Sequence, residues 1–346
     1  MARPRWKRLT IAAVKAMVAV VVLWAVGRHV LRTWDDLGDR RVALRFEPVW
    51  LLGSGLLYLG GLSAYGRFYE RILHASSAPV GLAPALRAYV VSHLGKYVPG
   101  KAIVVIVRVG MVVPYGARAS TAAIATFYET LVMMASGGLV AAAGFATAIG
   151  SDWVNLEWPV LGPVSLPVYR LAALSSLGLG LVFLVVVLPS VFRRLAGLVS
   201  LPIPGVGPES LPILSGALLV QGLAWSTAGW ALLGLSQLAV VRAFDPGGAD
   251  NRLVFGLIPV VIASVALATV AGFVVAVLPG GLGVREGVLM SALAPSLGQD
   301  RAVVAALMLR LVWVVAELAA AAVLVPMFRR PPNPVKPPLE PGPSPS

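Results

Sequence analysis

The chain has 346 residues, of which 58% are hydrophobic and 12% charged, about half the charged fraction of a soluble domain. Its formal net charge of +13 is spread between apolar runs rather than gathered in one soluble block, which points to membrane topology and anionic headgroups and away from nucleic acid. The absence of cysteine excludes disulfides and thiol chemistry; His29, His74 and His93 lack the i, i+4 spacing of a zinc-binding helix, so no metal or cofactor is expected.

Residues 1–8 (MARPRWKR) form a basic N-terminus ahead of a long apolar run. The order resembles a signal peptide, but Lys15 interrupts the run and no small-residue cleavage site follows. The reading is an uncleaved first transmembrane helix with a cytoplasmic N-terminus and a snorkelling Lys15. A charged loop over 31–47 leads to a second span from Val49 into SAYGRFYERIL. Residues 82–118 are apolar but broken by proline, glycine and basic residues. A continuous span of about 20 residues would bury Lys96, Lys101 or Arg108, so the prediction is a re-entrant or broken hairpin, sheltered by protein or a cavity.

A clear span at about 121–149 carries Glu129, and SDWVNLEWPVLGPVSLP after it has two acids, two tryptophans and no base, the pattern of an outside loop. The next span, near 170–190, ends in FRR, which predicts a cytoplasmic end. Apolar runs at about 211–241 and 254–278 follow, then a second broken region over 277–298 and a last span at about 302–327. Residues 329–346 are a proline-rich tail predicted to be disordered. The fold class is all-α: a polytopic integral membrane bundle over residues 9–328, with about six to eight transmembrane helices.

The two broken regions echo each other. YVPGKAIVVIVRVGMV and VLPGGLGVREGVLM both place Pro-Gly at the end of an apolar run with an arginine soon after: Pro99, Gly100 and Arg108, then Pro279, Gly280 and Arg285. Each is followed by a glutamate inside a span, Glu129 and Glu317. Paired interruptions point to an internal repeat with a substrate site at its interface. An ionised side chain near the bilayer centre costs about 2.5–3.5 kcal/mol on insertion scales, so it usually faces a partner or a watery cavity. Arg310 and Glu317 are two helical turns apart and share a face. That face lines a cavity, or it locks two helices by an ion pair, or Arg310 snorkels.

The segment GGLGVREG is not a nucleotide loop. It follows a membrane helix instead of a strand, and it lacks the Gly-Lys-Ser/Thr ending of a phosphate loop. The better reading is a helix that stops at Pro279, turns through Gly280, Gly281 and Gly283, and restarts. Such a half-helix offers N–H groups and partial positive charge to a phosphate, with Arg285 as a bidentate donor. Glu286 then orients Arg285 or meets a cationic headgroup.

LPGGLGVREGVL, with HLGKYVPGK in the first half, resembles the lysylphosphatidylglycerol synthase transmembrane (flippase-like) family, which includes the flippase portion of the bacterial multiple peptide resistance factor. The resemblance implies a domain of the bacterial cytoplasmic membrane with re-entrant helices that moves aminoacylated or other phospholipids between leaflets. By motif match, Pro279, Gly280, Gly283, Arg285 and Glu286 carry the signature, and Pro99 and Gly100 its first-half counterpart. Many relatives have an acid near the first Pro-Gly, and PGKAIVVIVRVG has none. The full resistance factor also carries a soluble aminoacyl-transferase domain after its membrane part, whereas this chain ends in a short tail, so no catalytic activity is expected.

The expected headgroup-binding residues are Lys96, Pro99, Gly100, Lys101, Arg108, Glu129, Pro279, Gly280, Gly281, Gly283, Arg285, Glu286, Arg310 and Glu317. Membrane lipids are the expected partners, with a separate synthase or glycosyltransferase and a second copy of the chain as further ones. A scaffold for such an enzyme is the alternative function. An intramembrane lipid-modifying enzyme using Glu286 and Glu317 as an acid–base pair is the third reading.

Overall fold

The computed structural model describes Arg28 and residues 47–76, 78, 80–97, 102–148, 153–158, 162–200, 214–244, 251–275 and 283–327. The expected first helix with Lys15, the loop over 31–46, the proline-rich tail, and Pro99, Gly100, Lys101, Pro279, Gly280 and Gly281 lie outside the described residues. Among the described residues, six helices are long and apolar enough to cross a membrane: α1 (Pro48–Ala75), α4 (Ala119–Thr147), α5 (Val168–Val187), α7 (Gly216–Phe244), α8 (Asn251–Val274) and α10 (Gln299–Met327).

The first broken region is two short helices, α2 (Leu82–His93) and α3 (Ala102–Val112). At 12 and 11 residues they extend about 18 and 16 Å at 1.5 Å per residue, well short of a ~30 Å hydrocarbon core. A 3₁₀ turn, Leu94–Tyr97, ends α2. Gly95 in that turn approaches α3 so closely that an added Cβ would lie 2.9 Å from Val104 N. The turn therefore folds against α3 and presents Lys96. In the second half the short helix is α9 (Val284–Leu297), followed directly by α10.

Packing is set by small residues, as expected where helix faces must meet without a hydrophobic gain over lipid. The main pairings are α1 with α7, α4 with α5, and α4 with α8. Gly61 of α1 lies against Leu233 and the Gly229 carbonyl of α7. On α4, a Cβ at Gly138 would stand 2.5 Å from the Cα of Gly180 on α5. The obstacle is backbone, which cannot rotate away. Gly138→Val is therefore expected to lower stability by about 2 kcal/mol or more through overpacking, read as an earlier thermal transition of the detergent-solubilised protein. The core collects Tyr65, Phe68 and Tyr69 from α1, Tyr89 from α2, Tyr128 from α4 and Trp230 from α7. By contrast, α5 exposes Leu174, Leu181, Val182 and Val185, the pattern of a lipid-facing helix, while α10 is the most enclosed of the six.

Two connections differ from expectation. Between α4 and α5 the predicted loop contains an antiparallel hairpin of β1 (Trp153–Trp158) and β2 (Gly162–Pro167), in register from Trp153 opposite Pro167 to Trp158 opposite Gly162. The alternation in WVNLEW is a strand signal, overshadowed by the loop's charge pattern. The FRR segment does not end a span but lies on α6 (Pro189–Ser200). There Phe192 is buried while Leu195 and Leu198 are exposed.

Candidate functional site

Lys96, Arg285, Glu286, Arg310 and Glu317 come together where the turn after α2, the start of α9 and the middle of α10 meet. Ala306, Leu309, Arg310 and Trp313 recur at i, i+3, i+4 and i+7 along α10 and line one side of a small cavity; Lys96, Tyr97, Arg285, Glu286 and Leu289 close it. Its volume is about 30 Å³. At roughly 10–15 Å³ per water on this measure, it holds about two waters.

The charges inside are paired unequally. Lys96 Nζ donates to Glu317 Oε1, and Tyr58 OH of α1 donates to the same oxygen. Arg310 Nη1 meets Glu286 Oε1. Arg285 has no carboxylate partner among the described residues. It donates to Thr269 Oγ1 of α8 at 3.1 Å and lies over the Trp313 ring, 5.4 Å from its centroid. Trp313 is itself held firmly. Its indole N–H donates to Ser236 Oγ of α7 at 2.9 Å, and Tyr58 stacks on it with ring centroids 4.4 Å apart. Lys96 also stands 5.0 Å from the Tyr97 ring centroid, within cation–π range. Among the described residues three cations thus face two carboxylates, and the one without a carboxylate partner is Arg285 of the glycine-rich segment.

Glu286 does not orient Arg285. Its Oε2 accepts from the Gly283 N–H at 2.8 Å, so the N3 carboxylate reaches back to the N-cap backbone of α9, one half of a capping box. Gly283 has φ 81°, a conformation that favours glycine. The start of α9 is thus already partly satisfied by its own carboxylate, and the positive charge facing the cavity comes from side chains.

Arg108 and Glu129 form a separate, sealed pair. Both are buried, at 2% and 1% exposure, with Arg108 Nη1 donating to Glu129 Oε2 at 3.1 Å. Tyr89 OH donates to Glu129 Oε1 at 2.9 Å, and Arg108 Nε donates to Ser92 Oγ at 3.0 Å. The guanidinium lies 4.0 Å from the centroid of the Tyr89 ring. With these partners the pair locks α2, α3 and α4 together, and neither residue is among those lining the cavity.

Two ion pairs each join a short helix to the long helix that follows it: Arg108 on α3 meets Glu129 on α4, and Glu286 on α9 meets Arg310 on α10.

Tyr58, His93, Tyr97, Trp313 and Thr269 complete the site without having been singled out for it. His93, which the sequence marks only as an unlikely metal ligand, has its Nε2 3.9 Å from Glu317 Oε1. The aromatic residues carried no signal, because a tyrosine or tryptophan in an apolar span reads as packing. Among the described residues no cluster of His, Cys, Asp or Glu could hold a metal ion.

Comparison with known proteins adds one finding. A family model described as "Lysylphosphatidylglycerol synthase TM region" matches residues 9–321. No curated protein matches the chain.

Proposed function

Since the chain belongs to the lysylphosphatidylglycerol synthase transmembrane family, and is thus an integral multi-pass membrane protein of that kind, we propose that it translocates a lipid with an anionic or aminoacylated headgroup between leaflets of the bacterial cytoplasmic membrane. The observation that carries this reading is Arg285, a cation without a carboxylate partner among the described residues, on the wall of a cavity between the two broken regions. An arginine so placed suits a phosphate, which it grips with two parallel N–H donors. A phosphodiester headgroup is larger than the two waters the cavity holds, so the cavity must widen to admit it. Loading requires the turn bearing Lys96 and the start of α9 to separate.

The acid–base alternative is poorly served by this geometry. Glu286 is committed to the α9 cap and to Arg310, and Glu317 to Lys96 and Tyr58. Reconstitution into liposomes with trace fluorescent phosphatidylglycerol or phosphatidylcholine tests the proposal, with loss of the outer-leaflet probe to a membrane-impermeant quencher as the readout. The protein is expected to accelerate movement of the anionic lipid well above that of the choline lipid. Rates equal to protein-free liposomes for both lipids would overturn it.

A further inference from the structure

We propose that α6 lies along the surface of the bilayer and docks on anionic lipid headgroups, a contact separate from the cavity. Helix α5 before it has 20 residues, about 30 Å at 1.5 Å per residue, which matches the hydrocarbon core. Its exposed Leu174, Leu181, Val182 and Val185 give it a lipid-facing side. The helix ends at Leu188, whose ψ of 130° is extended, and Pro189 begins α6 as the next residue. Proline is preorganised for that first helical position. A new helix thus starts where α5 has used up the thickness of the core. At 12 residues, about 18 Å, α6 is too short to cross.

The helical period divides α6 into three faces. Phe192 and Ala196 meet the bundle. Phe192 is buried, with its ring centroid 4.8 Å from that of Tyr128 on α4, and Ala196 packs against the core. Tyr128 OH also donates to the Val187 carbonyl at 3.2 Å, so the start of α6 is fastened to α4. Ser190, Arg193, Arg194 and Gly197 recur at i, i+3, i+4 and i+7 as a polar face. Val191, Leu195 and Leu198 recur at i, i+4 and i+7 as an apolar stripe. Leu195 and Leu198 are 42% and 64% exposed.

Both arginines are exposed. Arg193 Nε donates to the Pro189 carbonyl at 3.1 Å. The segment PSVFRRLAGLVS contains no acid, and among the described residues neither arginine pairs with a carboxylate. An occupant must therefore cover an apolar stripe and meet two cations on one short helix. A lipid surface does both: acyl chains receive Leu195 and Leu198 while phosphates accept from the guanidinium groups. The position favours lipid over a protein partner, because α6 begins where a lipid-facing span ends.

The test exploits the absence of cysteine from the sequence, which lets one introduced thiol carry a nitroxide label. Leu198→Cys and, on the polar face, Ser190→Cys are labelled in the full-length protein. Each is reconstituted into mixed phosphatidylglycerol–phosphatidylcholine liposomes and into phosphatidylcholine alone. Spin-label relaxation by oxygen, which enters lipid, is compared with that by a water-soluble nickel chelate. In the mixed liposomes the Leu198→Cys label should favour oxygen, at about 5–10 Å below the headgroups, and the Ser190→Cys label should favour nickel. Arg193→Gln with Arg194→Gln should weaken docking at low salt by roughly fivefold per arginine, read as greater nickel access to the Leu198→Cys label. Phosphatidylcholine alone should shift it the same way.

A Leu198→Cys label that favours nickel in the mixed liposomes would overturn the proposal, and this arm needs no arginine variant. A label shielded from both relaxers would overturn it too, because protein and not lipid would then cover the stripe. A depth unchanged by loss of phosphatidylglycerol and of both arginines would overturn the role of anionic headgroups.

Discussion

Glu129→Ala is expected to lower stability by about 3–5 kcal/mol, the usual consequence of stranding one member of a buried ion pair. Arg108 is 2% exposed and packed against Tyr69 and Tyr89, so neither water nor a shifted side chain can replace the carboxylate. Tyr89 loses its acceptor at the same time. Replacing both charges by apolar residues of similar volume, Arg108→Met with Glu129→Met, should recover most of the loss, because the stranded charge and not the missing bond dominates. Thermal denaturation of the detergent-solubilised protein, read with its monodispersity, measures both. A single variant within about 1 kcal/mol of the parent would mean that the Arg108–Glu129 pair is not the clamp of α2, α3 and α4.

Arg285→Ala gives the opposite profile. Truncation removes one bond to Thr269 and a contact with Trp313 but strands no acid, since Arg285 has no carboxylate partner among the described residues. The thermal transition should therefore move little. A charged hydrogen bond to a bound phosphate is worth about 1.5–3 kcal/mol, so headgroup capture should weaken roughly ten- to hundredfold, with translocation of anionic lipid falling alongside. Arg285→Lys keeps the charge but not the planar fork, and should lie between the two. Translocation by Arg285→Ala at the parent's rate, in a protein of unchanged stability, would remove Arg285 from the lipid path. The two variants separate two roles: the Arg108–Glu129 pair is expected to hold the scaffold, and Arg285, without a carboxylate partner among the described residues, to act on the lipid.

The spans were legible because each depends on residues close together in the chain. The helix expected at 121–149 lies at Ala119–Thr147, and the one expected at 302–327 at Gln299–Met327. Residues 82–118, where basic residues forbid a full span, hold two helices too short to cross. Charges inside apolar segments were equally visible, and Lys96, Arg108, Glu129, Arg285, Arg310 and Glu317 all proved to be enclosed in the bundle or lining its cavity.

Which cation meets which acid was not legible. Lys96 and Glu317 are separated by 221 residues, Tyr58 and Glu317 by 259, and no local pattern encodes such meetings. Arg108 and Glu129, only 21 residues apart, were both flagged, but for a cavity they do not line. Glu286 is expected from sequence to orient Arg285 or to meet a cationic headgroup, and in the fold it caps α9 and pairs with Arg310. Hydropathy and spacing thus determined by themselves that this chain is a broken-helix membrane bundle carrying charge at depth, because burial in lipid penalises each segment on its own terms. Only the tertiary structure decided that the Arg108–Glu129 pair is sealed, that Arg285 has no carboxylate partner among the described residues, and that Lys96 both lines the cavity and bonds Glu317, because neutralising a buried charge depends on what the fold brings within about 3 Å of it.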